Sequence, residues 1–205
     1  MSALPDITWT ESALDIVLHH IPKNVESMID LGCGRGIVGA IVRIYRDPKR
    51  VVGVDVFKPY LDFCEKRGIY TELLQWDLRN LPLPFNDDEF DLAVALEVLE
   101  HMPKAKGLLL VEELERIANR IIVSTPTIFF RQPLYDENLF QKHISIWHYN
   151  EFKQKGYIVR GIGGLRLPAP RSKHCREISY ALGRLTYLFP GLSTSMIAIK
   201  AKHNR

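Results

Sequence analysis

The amino-acid sequence predicts an α/β fold, with a doubly wound, mostly parallel sheet and helices on both of its faces. Segments with strand-like and helix-like spacing alternate from residue 9 to residue 126, which is the pattern of a sheet built from successive β-α-β units. The run Phe90–Leu96 is almost entirely apolar, as is typical of a strand buried on both faces. A chain of 205 residues can bury one substantial core, so residues 1–205 are interpreted as a single domain.

The elements of this alternating region follow from their apolar spacing and from the residues at their ends. A helix is predicted over Trp9–His20 with Thr10 as its N-cap, and a short apolar strand follows over Ser27–Leu31. Proline suits a first helical turn and glycine suits a helix end, so a helix is predicted over Pro59–Arg67, stopped by Gly68. The other predicted elements, in order, are a helix over Ile37–Tyr45, a strand over Arg50–Val54, a strand over Tyr70–Gln75, the strand Phe90–Leu96, a helix over Lys106–Ile117 and a strand over Arg120–Thr125.

The spacing changes after this region, where two insertions are predicted, 126–149 and 164–194. A loop as long as 127–149 is usually functional in a compact domain, and its aromatic residues argue against disorder. The sequence does not decide whether that segment closes as a lid. The elements predicted around the insertions are a helix over Asn150–Lys155, a strand over Tyr157–Ile162 and a final strand over Ser195–Lys202.

Composition excludes several classes of protein. No apolar run approaches the roughly 18 residues that a membrane span needs, and the N-terminus lacks the basic and apolar regions of a secretion signal. The three cysteines, Cys33, Cys64 and Cys175, form no Cys-x-x-Cys pair. An odd number of scattered cysteines favours reduced thiols over a disulfide framework, so a cytoplasmic location is predicted.

Charge is distributed unevenly along the chain. The last quarter, residues 160–205, carries nine Lys or Arg side chains and one acid, Glu177, so a basic face is predicted there. Two interpretations stay open. The cations form an ordinary solvated surface, or they attract an anionic partner such as an anionic substrate, a nucleic acid or a membrane headgroup.

A glycine-rich loop follows the first predicted strand, in the run Asp30-Leu31-Gly32-Cys33-Gly34-Arg35-Gly36. Glycines allow close approach of the backbone to a ligand, and the following helix presents free N–H groups. Residues 34–39 match Gly-x-Gly-x-x-Gly, which dinucleotide enzymes use. The register differs, because the strand ends at Gly32 and the sixth position from there is Ile37. Asp30 would repel a pyrophosphate but suits the ammonium group of a methionine moiety.

Acidic residues stand at the ends of three successive strands: Asp30, Asp55 and Asp77. A carboxylate at position 55 can accept both hydroxyls of a ribose, a feature that nicotinamide enzymes share. A carboxylate at position 77 can accept the amino group of adenine. A lone acid there would often be a simple turn residue, but ligands bind at this edge of open α/β sheets, so the three acids together indicate a nucleoside site.

The chain resembles the class I S-adenosylmethionine (SAM)-dependent methyltransferases, especially the group that includes the ubiquinone-pathway enzymes. The resemblance covers about residues 25–126 and implies a Rossmann-like sheet of seven strands with an antiparallel last strand. The matching stretches are residues 29–36, 52–55, 75–78, 90–101 and 121–126.

The same resemblance implies a set of cofactor contacts. Asp30 and the backbone of Gly32 and Gly34 are expected at the methionine end, and Asp55 at the ribose. Asp77 and Leu78 are expected at the adenine. Val56 and Glu97 complete the predicted SAM-binding residues.

The motif Glu97-Val98-Leu99-Glu100-His101 leaves the fourth strand at the edge where an acceptor would meet the methyl group. Three uses are open for its carboxylates and imidazole. They could form a structural turn, supply a general base, or bind a divalent cation such as Mg²⁺, Mn²⁺ or Zn²⁺.

Glu-x-x-Glu-His is similar to the metal motif of two methyltransferase groups, one acting on catechol-type hydroxyls and one on the 3′-terminal 2′-hydroxyl of small RNAs. The RNA group adds a later histidine, and His143 stands four residues before Trp147, a spacing that resembles that of the RNA group. The predicted catalytic residues are therefore Glu100, His101 and His143. The candidate ligands of Mg²⁺ or Mn²⁺ are Glu97, Glu100, His101 and His143.

The predicted function is SAM-dependent methyl transfer, with a small or anionic hydroxyl compound as the acceptor. RNA 2′-O-methylation and a non-catalytic SAM- or RNA-binding module are the alternatives, the latter favoured by the basic last quarter. A nicotinamide-dependent oxidoreductase is disfavoured by the glycine register and by Asp77.

Overall fold

The computed structural model describes residues 11–129, 136–166 and 183–202. These parts of the chain contain seven strands and six helices, with 3₁₀ turns at Leu99–His101, Leu139–Gln141 and Pro190–Leu192. The strands are β1 (Ser27–Leu31), β2 (Arg50–Asp55), β3 (Glu72–Gln75), β4 (Phe90–Leu96), β5 (Ala118–Pro126), β6 (Ile158–Leu165) and β7 (Ser193–Ala201). The helices are α1 (Glu11–His20), α2 (Ile37–Arg46), α3 (Lys58–Glu65), α4 (Lys104–Ile117), α5 (Tyr149–Gln154) and α6 (Gly183–Thr186).

The seven strands form one sheet in the order β3-β2-β1-β4-β5-β7-β6. All neighbours are parallel except at β7, which runs antiparallel to both β5 and β6. Apolar residues of α1 and α2 pack on one face of the sheet, and those of α4 and α5 pack on the other. The predicted doubly wound, Rossmann-like sheet with an antiparallel last strand is thereby confirmed.

The ends of β3 and β6 differ from the predicted ends, because contacts with distant residues outweigh the local sequence pattern there. Strand β3 begins at Glu72, because Tyr70 turns inward, where its ring covers Gly39 and Gly53. A Cβ atom at either glycine would lie 2.4 Å and 2.8 Å, respectively, from the Tyr70 ring. Strand β6 continues to Leu165, three residues beyond the predicted end, along the register of β7. The predicted N-cap Thr10 lies outside the described residues.

The chain reverses its direction of winding between β1 and β4. Strands β1, β2 and β3 proceed to one side of the sheet, whereas β4 and β5 proceed to the other. In open α/β sheets such a point leaves a crevice at the carboxyl ends of the strands, and ligands bind there. Within the described part of the chain, no helix is long and apolar enough to cross a membrane.

Candidate functional site

The glycine loop after β1 is held from two sides. The N–H groups of Gly32 and Cys33 donate to the carbonyl of Val54 at 2.8 and 3.0 Å, which joins the loop to the end of β2. The backbone at Gly32 has φ +72°, and a Cβ atom there would lie 2.5 Å from Val98 Cγ2. Gly34 also has positive φ, +53°, but faces open space. The loop therefore needs glycine at position 32 for both conformation and packing.

The Asp55 carboxylate at the end of β2 has a fixed orientation. It accepts from the N–H of Gly34 at 2.9 Å and from the N–H of Phe57 at 2.8 Å. Burial raises the pKa of this carboxyl group, and the two backbone donors oppose the rise. Each carboxylate oxygen keeps a further lone pair, so Asp55 can still accept from a ligand hydroxyl.

Asp77 is held by an arginine of its own turn. The Arg79 guanidinium donates to both carboxylate oxygens, at 2.6 to 3.0 Å, and lowers the pKa of Asp77. Arg79 also lies 5.2 Å from the centre of the Phe140 ring. The predicted adenine acceptor is therefore a paired carboxylate, positioned beside a cation and an aromatic ring.

One cleft at the crevice brings most of the predicted cofactor residues together. Its lining includes the predicted residues Gly32, Gly34, Asp55, Val56, Asp77, Leu78, Glu97 and His101, together with Tyr60, Trp76, Arg79, Val98, Met102, Asn138, Phe140 and Gln141. Both charged and apolar groups converge there, as ligand clefts require.

Asp30 lines an adjoining cavity, which shares Gly32 and Gly34 with the main cleft. Its carboxyl group is buried and accepts from the Tyr70 hydroxyl at 2.6 Å. Burial raises its pKa to about 7, although the bond from Tyr70 opposes the rise. A bound cation would favour the charged carboxylate.

The pKa of Asp30 makes a test of its predicted role possible. Below pH 7 the carboxyl group is largely protonated, and a cationic amino group must displace that proton to bind. We expect S-adenosylhomocysteine to bind about 10-fold more tightly as the pH rises from about 5.5 to 7.5, measured by calorimetry. Asp30→Asn should remove this slope, and an unchanged slope would assign the pH dependence to another group.

Glu97 and Glu100 form a buried pair of carboxyl groups. The backbone at Glu97 has φ +54°, an uncommon conformation for a non-glycine residue. Ser124 Oγ donates to Glu97 at 2.7 Å, and Thr125 Oγ1 donates to Glu100 at 3.1 Å. Burial raises the pKa of both carboxyl groups, and the negative charge of Glu97 adds to the rise at Glu100.

Glu100, His101 and His143 come together as a possible metal-binding group. One potential ligand atom from each lies within 4.8 Å of the others, and the two imidazole rings are 4.9 Å apart. Burial lowers the pKa of His101 and lowers that of His143 to about 4, so both rings are neutral at pH 7. Glu97 lies beside this group through its contact with Glu100.

The segment that carries His143 is tied to the 3₁₀ turn. The N–H groups of Ile144 and Ser145 donate to the Glu100 carbonyl at 2.8 and 3.1 Å. Trp147 Nε1 donates to Ser145 Oγ at 3.1 Å, and the buried indole covers Gly107 of α4, where a Cβ atom would lie 2.5 Å away. His143 therefore reaches the motif because its own segment is hydrogen-bonded to it.

Two backbone carbonyls hold the His101 ring. Its Nδ1 lies 3.2 Å from the carbonyl of Lys142, which can only accept a hydrogen bond. The Glu97 carbonyl is a second acceptor for the ring. In the neutral ring one nitrogen donates its proton to a carbonyl and the other keeps its lone pair. Metal-binding histidines generally have this arrangement.

Comparison with known proteins supports the predicted fold and the methyltransferase prediction. Residues 29–120 match the family described as Methyltransferase domain, whereas a comparison with curated protein sequences finds no match. A SAM-dependent methyltransferase from Archaeoglobus fulgidus is similar in fold, with a TM-score of 0.61 and 16% identity over 93% of this chain and 92% of that chain.

Two further solved structures share the fold. The methyltransferase domain of bacterial CtHen1-CN has a TM-score of 0.56 and 20% identity, over 92% of this chain and 96% of that one. The small RNA methyltransferase HEN1 has a TM-score of 0.61 and 19% identity, over 93% of this chain but 25% of that one. The family match covers residues 29–120, just under half of the chain, and the fold is shared with solved SAM-dependent methyltransferases. Membership of the ubiquinone-pathway group stays a prediction.

Several lining residues were not predicted from the sequence. Asn138, Phe140 and Gln141 come from the segment after β5, and Tyr60 comes from α3. None belongs to a recognisable motif. The aromatic content of residues 127–149 was the one signal that this segment contributes to a site.

Proposed function

We propose that the chain transfers a methyl group from SAM to a hydroxyl acceptor, assisted by a divalent cation that Glu100, His101 and His143 hold. The convergence of their three ligand atoms within 4.8 Å carries this proposal. The residues come from two segments about 40 positions apart in sequence, and hydrogen bonds to the Glu100 carbonyl join those segments. A purely structural turn would not need both imidazole rings.

The side chains fit a hard or borderline cation such as Mg²⁺ or Mn²⁺. Glu100 Oε1 is buried and accepts no hydrogen bond from any residue that the structure describes, and a buried carboxylate oxygen of this kind needs a cation or a proton. Neutral imidazoles and a carboxylate are suitable donors for Mn²⁺. Glu97, beside Glu100, would complete the acidic surroundings.

The proposed role of each residue follows from its position in the site. Asp55 would hold the ribose, Asp30 would attract the amino group, and the backbone of the glycine loop would receive the methionine end. The sulfonium of SAM is already an active methyl donor, so the chain has mainly to hold the acceptor in line and exclude water. A bound cation supplies a lowered pKa for an acceptor hydroxyl. Glu97, which lines the cleft and is not one of the three proposed ligands, can receive the proton of that hydroxyl.

Acceptors with two neighbouring hydroxyls suit this arrangement, since such a diol can chelate a cation. A small diol such as a catechol is the first candidate. The 3′ end of an RNA is the second, and the fold shared with the small RNA methyltransferase HEN1 supports it. The basic last quarter supports RNA less, because Lys200 is paired with Glu115 and Lys202 with Asp88.

Titration of Mn²⁺ into protein saturated with S-adenosylhomocysteine tests the proposal. We expect stoichiometric binding in the native protein, which His143→Ala removes and which the matched control His19→Ala, an exposed histidine of α1, retains. Methyl transfer to a catechol or to an RNA with an intact 3′ diol should require Mn²⁺, and periodate-treated RNA should not react. Metal binding that survives in His143→Ala, or transfer that persists with a chelator, would refute the metal role.

A further inference from the structure

Four side chains form a chain of contacts, and two of them, Tyr60 and Gln141, line the main cleft. Arg35 in the glycine loop donates to Asp136 Oδ2 at 2.8 Å. The Tyr60 hydroxyl of α3 donates to the same oxygen at 3.0 Å. Gln141 Nε2 lies 2.9 Å from the Tyr60 hydroxyl oxygen. We call Arg35, Asp136, Tyr60 and Gln141 the cleft network.

The protons of this network determine which way the Gln141 amide points. A phenol has one proton to donate, and the Tyr60 proton goes to the carboxylate of Asp136, which can only accept. Burial, the first cause, and the bond to Asp136 raise the pKa of Tyr60 to about 12, so that proton is retained. The hydroxyl oxygen must then accept from the amide, which therefore presents its NH₂ group to Tyr60. The reversed amide would set two acceptors against each other.

Because the NH₂ group of Gln141 is held by Tyr60, the orientation of its amide oxygen, Oε1, is fixed. It is buried, and no described side chain or backbone group donates a hydrogen bond to it. Buried polar atoms are almost always paired, since an unpaired one costs free energy. Gln141 lines the cleft together with Asp55 and Asp77, so the missing donor is expected in that cleft.

We propose that Gln141 Oε1 accepts a hydrogen bond from the nucleoside of the bound cofactor, either from a ribose hydroxyl or from the adenine amino group. This inference rests on the proposed SAM site and adds a binding residue from outside the matched domain, residues 29–120. Tyr60 adjoins the ribose side, because its ring lies 4.9 Å from that of Phe57, whose N–H holds Asp55. Arg79 donates to both oxygens of Asp77, and an adenine amino group has two protons, so it can donate to a second acceptor besides Asp77.

Gln141→Met tests the proposal, because methionine has similar length but accepts no strong hydrogen bond. We expect S-adenosylhomocysteine to bind about 10-fold more weakly, measured by calorimetry without metal. Gln154→Met, on the exposed end of α5, is the matched control and should bind like the native protein. Thermal unfolding without ligand should be the same in both variants, which separates a lost contact from a damaged fold.

Three analogues of S-adenosylhomocysteine identify the donor: the 2′-deoxy, the 3′-deoxy and the 6-deamino compounds. The analogue that lacks the donor to Gln141 should bind more weakly to the native protein, and this penalty should disappear in Gln141→Met. Native-like affinity of Gln141→Met, or penalties that persist in full for all three analogues, would overturn the inference. If the native protein does not bind S-adenosylhomocysteine, the proposed cofactor site itself fails, which is a distinguishable result.

Discussion

Glu100→Gln is expected to abolish stoichiometric Mn²⁺ binding and to lower methyl transfer at least ~100-fold, since each tenfold corresponds to about 1.4 kcal/mol of lost transition-state stabilisation. The amide keeps the size of the side chain but removes the anionic oxygen. It can still accept from Thr125, which donates to Glu100 at 3.1 Å. Calorimetry with Mn²⁺ and a radiolabelled methyl-transfer assay would measure the two effects.

The fold of this variant should be unharmed. Burial raises the pKa of Glu100, so its charged form is disfavoured in the folded protein without metal, and a neutral amide avoids that cost. We therefore expect the unfolding midpoint of Glu100→Gln at pH 8 to equal or exceed that of the native protein. Glu112→Gln, on the exposed face of α4, is the matched control and should retain metal binding. Methyl transfer by Glu100→Gln at the native rate would show that Glu100 has only a structural role.

The architecture was predictable because it depends on local spacing and on where each strand ends. The limits of β1 and β4 agree with the predicted ones. Each strand is an apolar run that ends at a clear signal in the sequence, Gly32 after β1 and Glu97 after β4. The boundaries of β3 were not predictable from the same pattern. Tyr70 has the side chain of a strand residue, but it hydrogen-bonds to Asp30, 40 positions away.

The candidate site was predictable only as far as its residues belong to local motifs. Glu97, Glu100 and His101 are close in sequence, and His143 was found through the spacing to Trp147. The structure adds the reason why His143 joins them, namely the hydrogen bonds of its segment to the Glu100 carbonyl. The roles of all four residues stay predictions until metal binding is measured.

The cleft network could not be predicted, because its contacts join residues far apart in sequence. Arg35 and Asp136 are separated by 101 positions, and Tyr60 and Gln141 by 81. None of these side chains carries a chemical signature of its own, since arginine, tyrosine and glutamine are common on protein surfaces. Their significance arises from the order in which they donate and accept hydrogen bonds, and this order depends on the folded arrangement.

Gly32→Ala is expected to destabilise the protein by about 1–3 kcal/mol and to weaken S-adenosylhomocysteine binding by ~100-fold or more. The added methyl would lie 2.5 Å from Val98 Cγ2, at a backbone φ of +72°. The loop must move away from Val98, and the N–H groups that Val54 now holds would move with it. Denaturant unfolding and ligand calorimetry would measure both effects.

Two comparisons separate the steric cause from the backbone cause. Gly68→Ala has the same backbone cost, at φ +58°, but open space around the new methyl, so it should lose stability and keep full affinity for S-adenosylhomocysteine. Val98→Ala in the Gly32→Ala background removes the atom that clashes and should restore a large part of the lost affinity. Equal affinity losses in the Gly32→Ala protein with and without Val98→Ala would show that backbone strain alone disables the loop. Recovery would show that the clash with Val98, the residue that immediately precedes the 3₁₀ turn of the candidate metal group, is what displaces the loop in Gly32→Ala.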